Sequence, residues 1–152
     1  TLDFDFELFK KENNDNPVFY VQYAHARICS LLKNASNNLK IDVDDNLLSN
    51  SNLSLLNNKI ELEIIKLIAS YPKIVEQAAS HKEPHRIPFY LRDLSSAFHQ
   101  YWNLKINNKR VKIIDKNDVE STLSRLTLLR VVAITISSAL SILGIKALNE
   151  LR

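Results

Sequence analysis

The chain holds a single glycine, a single cysteine (Cys29), four prolines and no methionine in 152 residues. One cysteine excludes an internal disulfide framework and agrees with a reducing compartment. One glycine excludes the glycine-rich loops that cradle nucleotide phosphates, where the backbone must come closer to the ligand than a Cβ allows. With no methionine even at position 1, the chain is expected to be a piece of a longer translated product. Its start, "TLDFDFELFKKENND", alternates acids with apolar residues, so no targeting signal is read there. A long uninterrupted apolar run is also missing: residues 126–143 come nearest, but Arg130 and several Ser and Thr interrupt them and the stretch is short for a bilayer span. These residues are read as a buried central helix, and no membrane partner is expected.

What remains is rich in Leu, Ile, Lys, Glu and Ala, which points to an all-α fold: a helical bundle with a long, largely buried C-terminal helix. The length suffices for one domain with its own core. A first helix is announced by Asn16 as N-cap and Pro17 at the first helical position, where a missing N–H costs nothing. The helical period then puts Val21, Ala24, Ile28, Leu31 and Leu32 on a core face. Opposite lie Tyr23, Arg27, Ser30 and Asn34, with Tyr20 on the border. His25 shares the core side, where a buried ring with a hydrogen-bond partner is the expectation.

Residues 36–57 are asparagine-rich without lasting periodicity and read as a loop or excursion of the mobile kind. Asn58 and Glu61 form a capping-box pattern that opens a second helix bearing Ile60, Ile64, Leu67, Ile68 and Tyr71; Pro72 is expected to end it, with a shorter helix over 73–82 to follow. A helix over 87–104 carries Ile87, Leu91, Leu94, Phe98, Tyr101 and Trp102 on one stripe and Arg92, Ser96, His99 and Asn103 on the next. A basic loop, 105–116, holds Lys105, Lys109, Arg110, Lys112 and Lys116. Asn117 or Asp118 caps the last helix, and Gly144 is placed to end it in the left-handed conformation.

Catalytic chemistry finds little support. Cys29 lies at the edge of an apolar face, and nothing marks a serine as activated. His81 and His85 have a metal-binding spacing, but Pro84 separates them and no third ligand is near, so a surface loop is the simpler account. A net charge of +3 and a pI near 9.0 suit a polyanion partner only weakly. Arg27 is the sharper feature: a planar cation turned from the core, fit for stacking or forked hydrogen bonds to a base or phosphate, against the alternative of a surface ion pair. Tyr101 and Trp102 are large enough to stack on an unpaired base, and core packing explains them equally well. Lys109 and Arg110 have the composition of a phosphate-contacting segment, as do many solvated loops.

The stretch "DNPVFYVQYAHARICSLLKNA", residues 15–35, resembles the signature at the end of the catalytic region of arginyl-tRNA synthetases. "YLRDLSSAFHQYWN" (90–103) and "RLTLLRVVAITISSALSILGI" (125–145) are similar to two further helices of that family's anticodon-binding domain, the DALR domain. The resemblance spans nearly the whole chain. It implies a cytoplasmic class I synthetase that joins arginine to its cognate tRNA with ATP and magnesium. The family's HIGH and KMSKS sequences occur nowhere here, so the nucleotide fold is expected upstream and the chain itself is expected to be inactive and to hold no cofactor. Residues 1–15 would then close the preceding catalytic region, and 16–152 would form the anticodon-binding bundle. The resemblance puts Tyr23 and Arg27 at the anticodon pocket, and Trp102, with Tyr101 beside it, in a helix that supplies an aromatic wall. Family members usually finish with proline and a terminal methionine, whereas this chain ends "GIKALNELR"; no base contact is assigned to its terminal residues. A rival expectation is a structural dock that braces the catalytic domain and binds no RNA.

Overall fold

The computed structural model describes residues 16–106 and 109–151, with backbone alone at 106, 109 and 110. Helix α1 (Pro17–Leu39) starts where Asn16 Oδ1 accepts the backbone N–H groups of Val18 and Phe19 at 3.0 and 3.2 Å. It runs several residues past the expected end and stops at Lys40, whose φ of 56° no helix continues. The asparagine-rich excursion is built, not formless. Asp44 caps a short helix α2 (Asp45–Ser49), Asn52 caps a 3-10 turn (Leu53–Leu55), and Leu48 and Leu56 are buried. Polar side chains fasten this segment to the last helix: Ser124 Oγ donates to Asn52 O at 2.7 Å, and Arg130 grips Asp45 with Nε and Nη2 at 2.7 and 2.9 Å.

Helix α3 (Lys59–Ser80) opens with the expected capping box, in which Glu61 accepts the Asn58 N–H at 3.0 Å and Asn58 Oδ1 caps the first turn. The expectation that Pro72 ends this helix is overturned, since α3 runs unbroken through it. A proline removes one ladder bond and crowds the carbonyl four residues back. Here Pro72 is exposed, while Leu67, Ile68, Tyr71, Ile74, Val75 and Ala78 continue one packed face across it. In the turn before the proline, Leu67 O also takes hydroxyl bonds from Tyr90 at 2.8 Å and Ser70 at 2.7 Å. Burial of that face on both sides outweighs the local defect.

Helix α4 (Arg86–Trp102) lies against α1, α3 and the last helix, and is followed by a two-residue antiparallel ribbon, β1 (Lys105–Ile106) with β2 (Lys109–Arg110), inside the expected basic loop. Helix α5 (Val119–Ile142), capped by Asp118, contacts α1, α3 and α4 and places Leu126, Leu129, Val132, Ala133, Ile136 and Ala139 out of solvent. It is long and apolar enough to cross a membrane by length and composition alone, yet half of that stretch is buried inside the bundle, as a core helix requires. The all-α bundle with a long last helix is therefore the observed architecture, the small ribbon aside, and that helix is partly buried. Gly144, at φ 73°, ends α5 with paired bonds from Gly144 N to Ser141 O and Ile145 N to Leu140 O, the Schellman arrangement that reverses the chain. The segment after it runs back along α1.

Candidate nucleic-acid interface

Tyr23 and Arg27 sit four residues apart on α1, so the guanidinium lies over the ring one turn before it. Trp102, in the last turn of α4, closes the other side. The guanidinium carbon of Arg27 is 4.6 Å from the centroid of each ring, a cation held between two aromatic faces. Tyr23 in turn stacks on His99 of α4 (5.7 Å, 21° between planes), and His99 meets Tyr20 at 4.6 Å and Phe98 at 5.2 Å. One stack, His99–Tyr23–Arg27–Trp102, thus knits α1 to α4. Cation–π contact of this kind contributes about 0.5–2 kcal/mol per ring, rising as water is removed.

With both faces covered, Arg27 has only its rim of N–H donors left to offer a ligand. Among the described residues it meets no carboxylate, so the ion-pair explanation finds no partner there. The rim opens on a groove of about 940 Å³, and all four residues of the polar stripe, Tyr23, Arg27, Ser30 and Asn34, line it. Trp102 and Arg130 add to the lining, as do Asn149, Glu150 and Leu151 of the C-terminal segment. Lys33 and Glu150 face each other at 3.8 Å with both side chains largely exposed, a contact of little energetic weight. Of the three cations in the lining, Arg130 is forked to Asp45 and Lys33 faces Glu150, so Arg27 is the one that meets no carboxylate among the described residues, and its charge favours an anionic ligand. Cys29 also borders the groove, but burial pushes its thiol pKa up, against a smaller opposing effect of Arg130. That direction disfavours the thiolate form in which a cysteine acts as nucleophile.

Tyr101 has a different setting from its neighbour. Its ring is 2% exposed and its hydroxyl donates to Glu61 Oε1 at 2.7 Å; burial, then the bond to that carboxylate, raises its pKa far above an ordinary tyrosine's. Arg125 Nε stands 4.0 Å from the same Glu61 oxygen. Tyr101 is therefore a strut between α3 and α4 and is not brought to the groove, which corrects its place beside Trp102 among the candidate contacts. The backbone of Lys109 and Arg110 lies in β2, joined to the end of α4 by the Val111 N–H to Leu104 O bond, while their side chains fall outside the described residues. His81 is exposed at the end of α3, and no group of three or more His, Cys, Asp or Glu side chains gathers among the described residues.

His25 is buried, as expected, and its Nδ1–H donates to Leu148 O at 2.8 Å. The sequence reading did not find what that bond holds, namely the C-terminal segment as a wall of the groove. A buried glutamine next to the tyrosine, Gln22, was the available signal, because an amide on a core face needs partners from somewhere.

A helical bundle with an open cationic and aromatic groove at one edge is an architecture suited to holding unpaired bases, and the chain belongs to the DALR anticodon binding domain family, whose pattern matches residues 21–151. Its relatives give the particular setting. It is 44% identical over 151 residues to the arginine–tRNA ligase of Parvibaculum lavamentivorans and equally to that of Bartonella bacilliformis, each alignment covering 99% of this chain and 26% of the relative. Its fold is similar to that of the Thermus thermophilus arginyl-tRNA synthetase, with a TM-score of 0.76 and 25% identity over 97% of this chain and 23% of that one. The chain thus spans about a quarter of the length of the curated relatives it matches.

Proposed function

We propose that the groove between α1, the end of α4 and the C-terminal segment receives an unpaired anticodon nucleotide of the tRNA for arginine, as the tRNA-reading part of a cytoplasmic arginine–tRNA ligase. The observation that carries this reading is the Arg27 guanidinium clamped between Tyr23 and Trp102 with its donor rim open to the groove. Clamping removes rotamer freedom before a ligand arrives, so less is lost when hydrogen bonds to a base edge or phosphate form. Trp102 serves as the aromatic wall that holds the guanidinium in place for the base. Lys109 and Arg110, in the ribbon that follows α4 in the chain, would add phosphate attraction that fades with salt.

The intact ligase would join arginine to tRNA with ATP and magnesium held elsewhere. The described residues of this chain do not fit either group: no acidic or histidine cluster is gathered for the ion, and the one glycine ends a helix. In this reading the catalytic domain precedes the bundle, residues 1–15 belong to its end, and the chain alone is inactive. The test compares retention of tRNA by wild-type chain and Arg27→Ala at low salt, with helicity checked by circular dichroism. Loss of retention at unchanged helicity is the expected outcome. Retention that is absent in wild type, or indifferent to salt and to Arg27, would leave the bundle as a brace for the catalytic domain.

A further inference from the structure

The chain after Gly144 could have trailed into solvent, yet its backbone is tied to α1 at three points across more than 120 residues of sequence. Two longer side-chain contacts, Cys29 Sγ to Asn149 Oδ1 at 3.7 Å and Lys33 to Glu150 at 3.8 Å, follow it along the helix. Gln22 Nε2 donates to Lys146 O at 2.8 Å, and Gln22 Oε1 accepts the Leu148 N–H at 2.8 Å, so the carboxamide pairs with the segment as an adjacent strand would. His25 Nδ1–H donates to Leu148 O at 2.8 Å. Both backbone polar groups of Leu148 are therefore fixed by side chains of α1. The next three residues, Asn149, Glu150 and Leu151, line the same groove as Arg27.

We infer that Gln22 and His25 are positioning residues for the RNA site, which act by fastening residues 146–148 so that Asn149–Leu151 stand as the groove's outer wall. Neither residue lines that groove itself. Both are buried, Gln22 at 6% and His25 at 5% exposure, and each faces the tail from the side of α1 that otherwise carries the core. A buried amide left without its partners is costly, which makes the fastened arrangement the stable one. The three ties leave Leu148 itself 43% exposed, so what they secure is the path of the backbone, not the burial of an anchor side chain. The effect on RNA rests on the proposed function of the groove; the fastening does not.

The test uses the full chain as wild type, Gln22→Met, Gln22→Glu, a deletion of residues 148–152, and Gln22→Met combined with that deletion. Methionine keeps length and removes both bonds, whereas glutamate keeps an acceptor for the Leu148 N–H and loses the donor. Hydrogen exchange at the Leu148 amide, measured without RNA, reads the fastening. Binding of an anticodon stem-loop of an arginine tRNA at low salt reads its consequence. Gln22→Met should speed exchange at Leu148 about tenfold and weaken RNA binding by a similar factor at unchanged helicity, with Gln22→Glu intermediate, as expected for two lost hydrogen bonds. In the deletion background Gln22→Met should change RNA affinity less than about twofold, since the wall it positions is already gone. An undiminished effect of Gln22→Met in that background, or Leu148 exchange indifferent to it, overturns the inference. Wild-type chain that binds no RNA overturns the reading of the groove, while accelerated exchange in Gln22→Met would still uphold the fastening.

Discussion

Tyr101 and Trp102 are consecutive aromatic residues at the end of one helix, and the surroundings of each decide what it can do. Tyr101 points between α3 and α5, where Glu61 takes its hydroxyl and Arg125 balances the carboxylate. Trp102 turns toward α1 and the groove, where its ring lies over a guanidinium. One hundred degrees of helical rotation separates a sealed polar network from an open stack. A buried, fully paired network stabilises and specifies the bundle, whereas a cation between rings with its donors unspent is stable enough to persist and still reactive toward a ligand. The two regions should therefore fail in different ways when cut.

The largest effect is expected at the sealed side. Tyr101→Ala removes a buried ring and deprives Glu61 of a donor, and should lower unfolding free energy by about 3–5 kcal/mol in urea titrations. The fraction that remains folded should bind RNA as before. Arg27→Ala reverses the pattern: RNA affinity should fall about 10- to 100-fold, the weight of one or two charged hydrogen bonds, while stability changes by no more than about 1 kcal/mol. Arg27→Lys should not restore it, since an ammonium cannot fill the flat slot between the rings.

A smaller effect concerns His99, which stacks on Tyr23 behind the groove. Burial holds its pKa below the ordinary 6.5 and the charge of Arg27 pushes the same way, against a hydrogen bond to the Tyr20 backbone. Its folded-state pKa is thus the lower one, so the stability that comes from the neutral ring is complete above 6.5 and is lost as pH falls through the folded value. Thermal melts between pH 7 and 5, a range chosen to bracket the unperturbed histidine at roughly 6.5, should show a decline that His99→Phe flattens. The smallest effect belongs to Asp45→Asn. The Arg130–Asp45 pair is forked but exposed, and its loss should cost about 0.5 kcal/mol of stability without weakening RNA binding, since it frees a cation that lines the groove.

Much of this was legible where a local rule and a periodic face agreed. Asn16 with Pro17, the Asn58–Glu61 capping box and Gly144 mark boundaries through their own backbone chemistry, and the helix ends follow. The polar stripe Tyr23, Arg27, Ser30, Asn34 was legible for the same reason, because spacings of three and four residues fix angular position whatever the helix packs against. Pro72 misled because its local cost is visible in sequence, while the apolar face that overrides it is assembled with α4 and α5. The 36–57 excursion hid its two short elements because each is specified by a single cap and by contacts to Ser124 and Arg130, some 70 to 85 residues away. Tyr101 could not be separated from Trp102 by pattern alone, since which edge of a stripe is sealed depends on the partner helix. The tail wall was illegible for a related reason: its three ties are between residues more than 120 positions apart.

Trp102 is the only tryptophan in the chain, so its emission reports on the groove without a label. The decisive measurement is a titration of the full chain with an anticodon stem-loop of an arginine tRNA at low salt, read by that emission and repeated with Arg27→Ala. If a base enters beside the clamp, emission should change saturably in wild type, and the response should shift to much higher RNA concentration in the variant. RNA that binds with unaltered Trp102 emission, or that binds Arg27→Ala equally well, would contradict the placement of RNA in this groove.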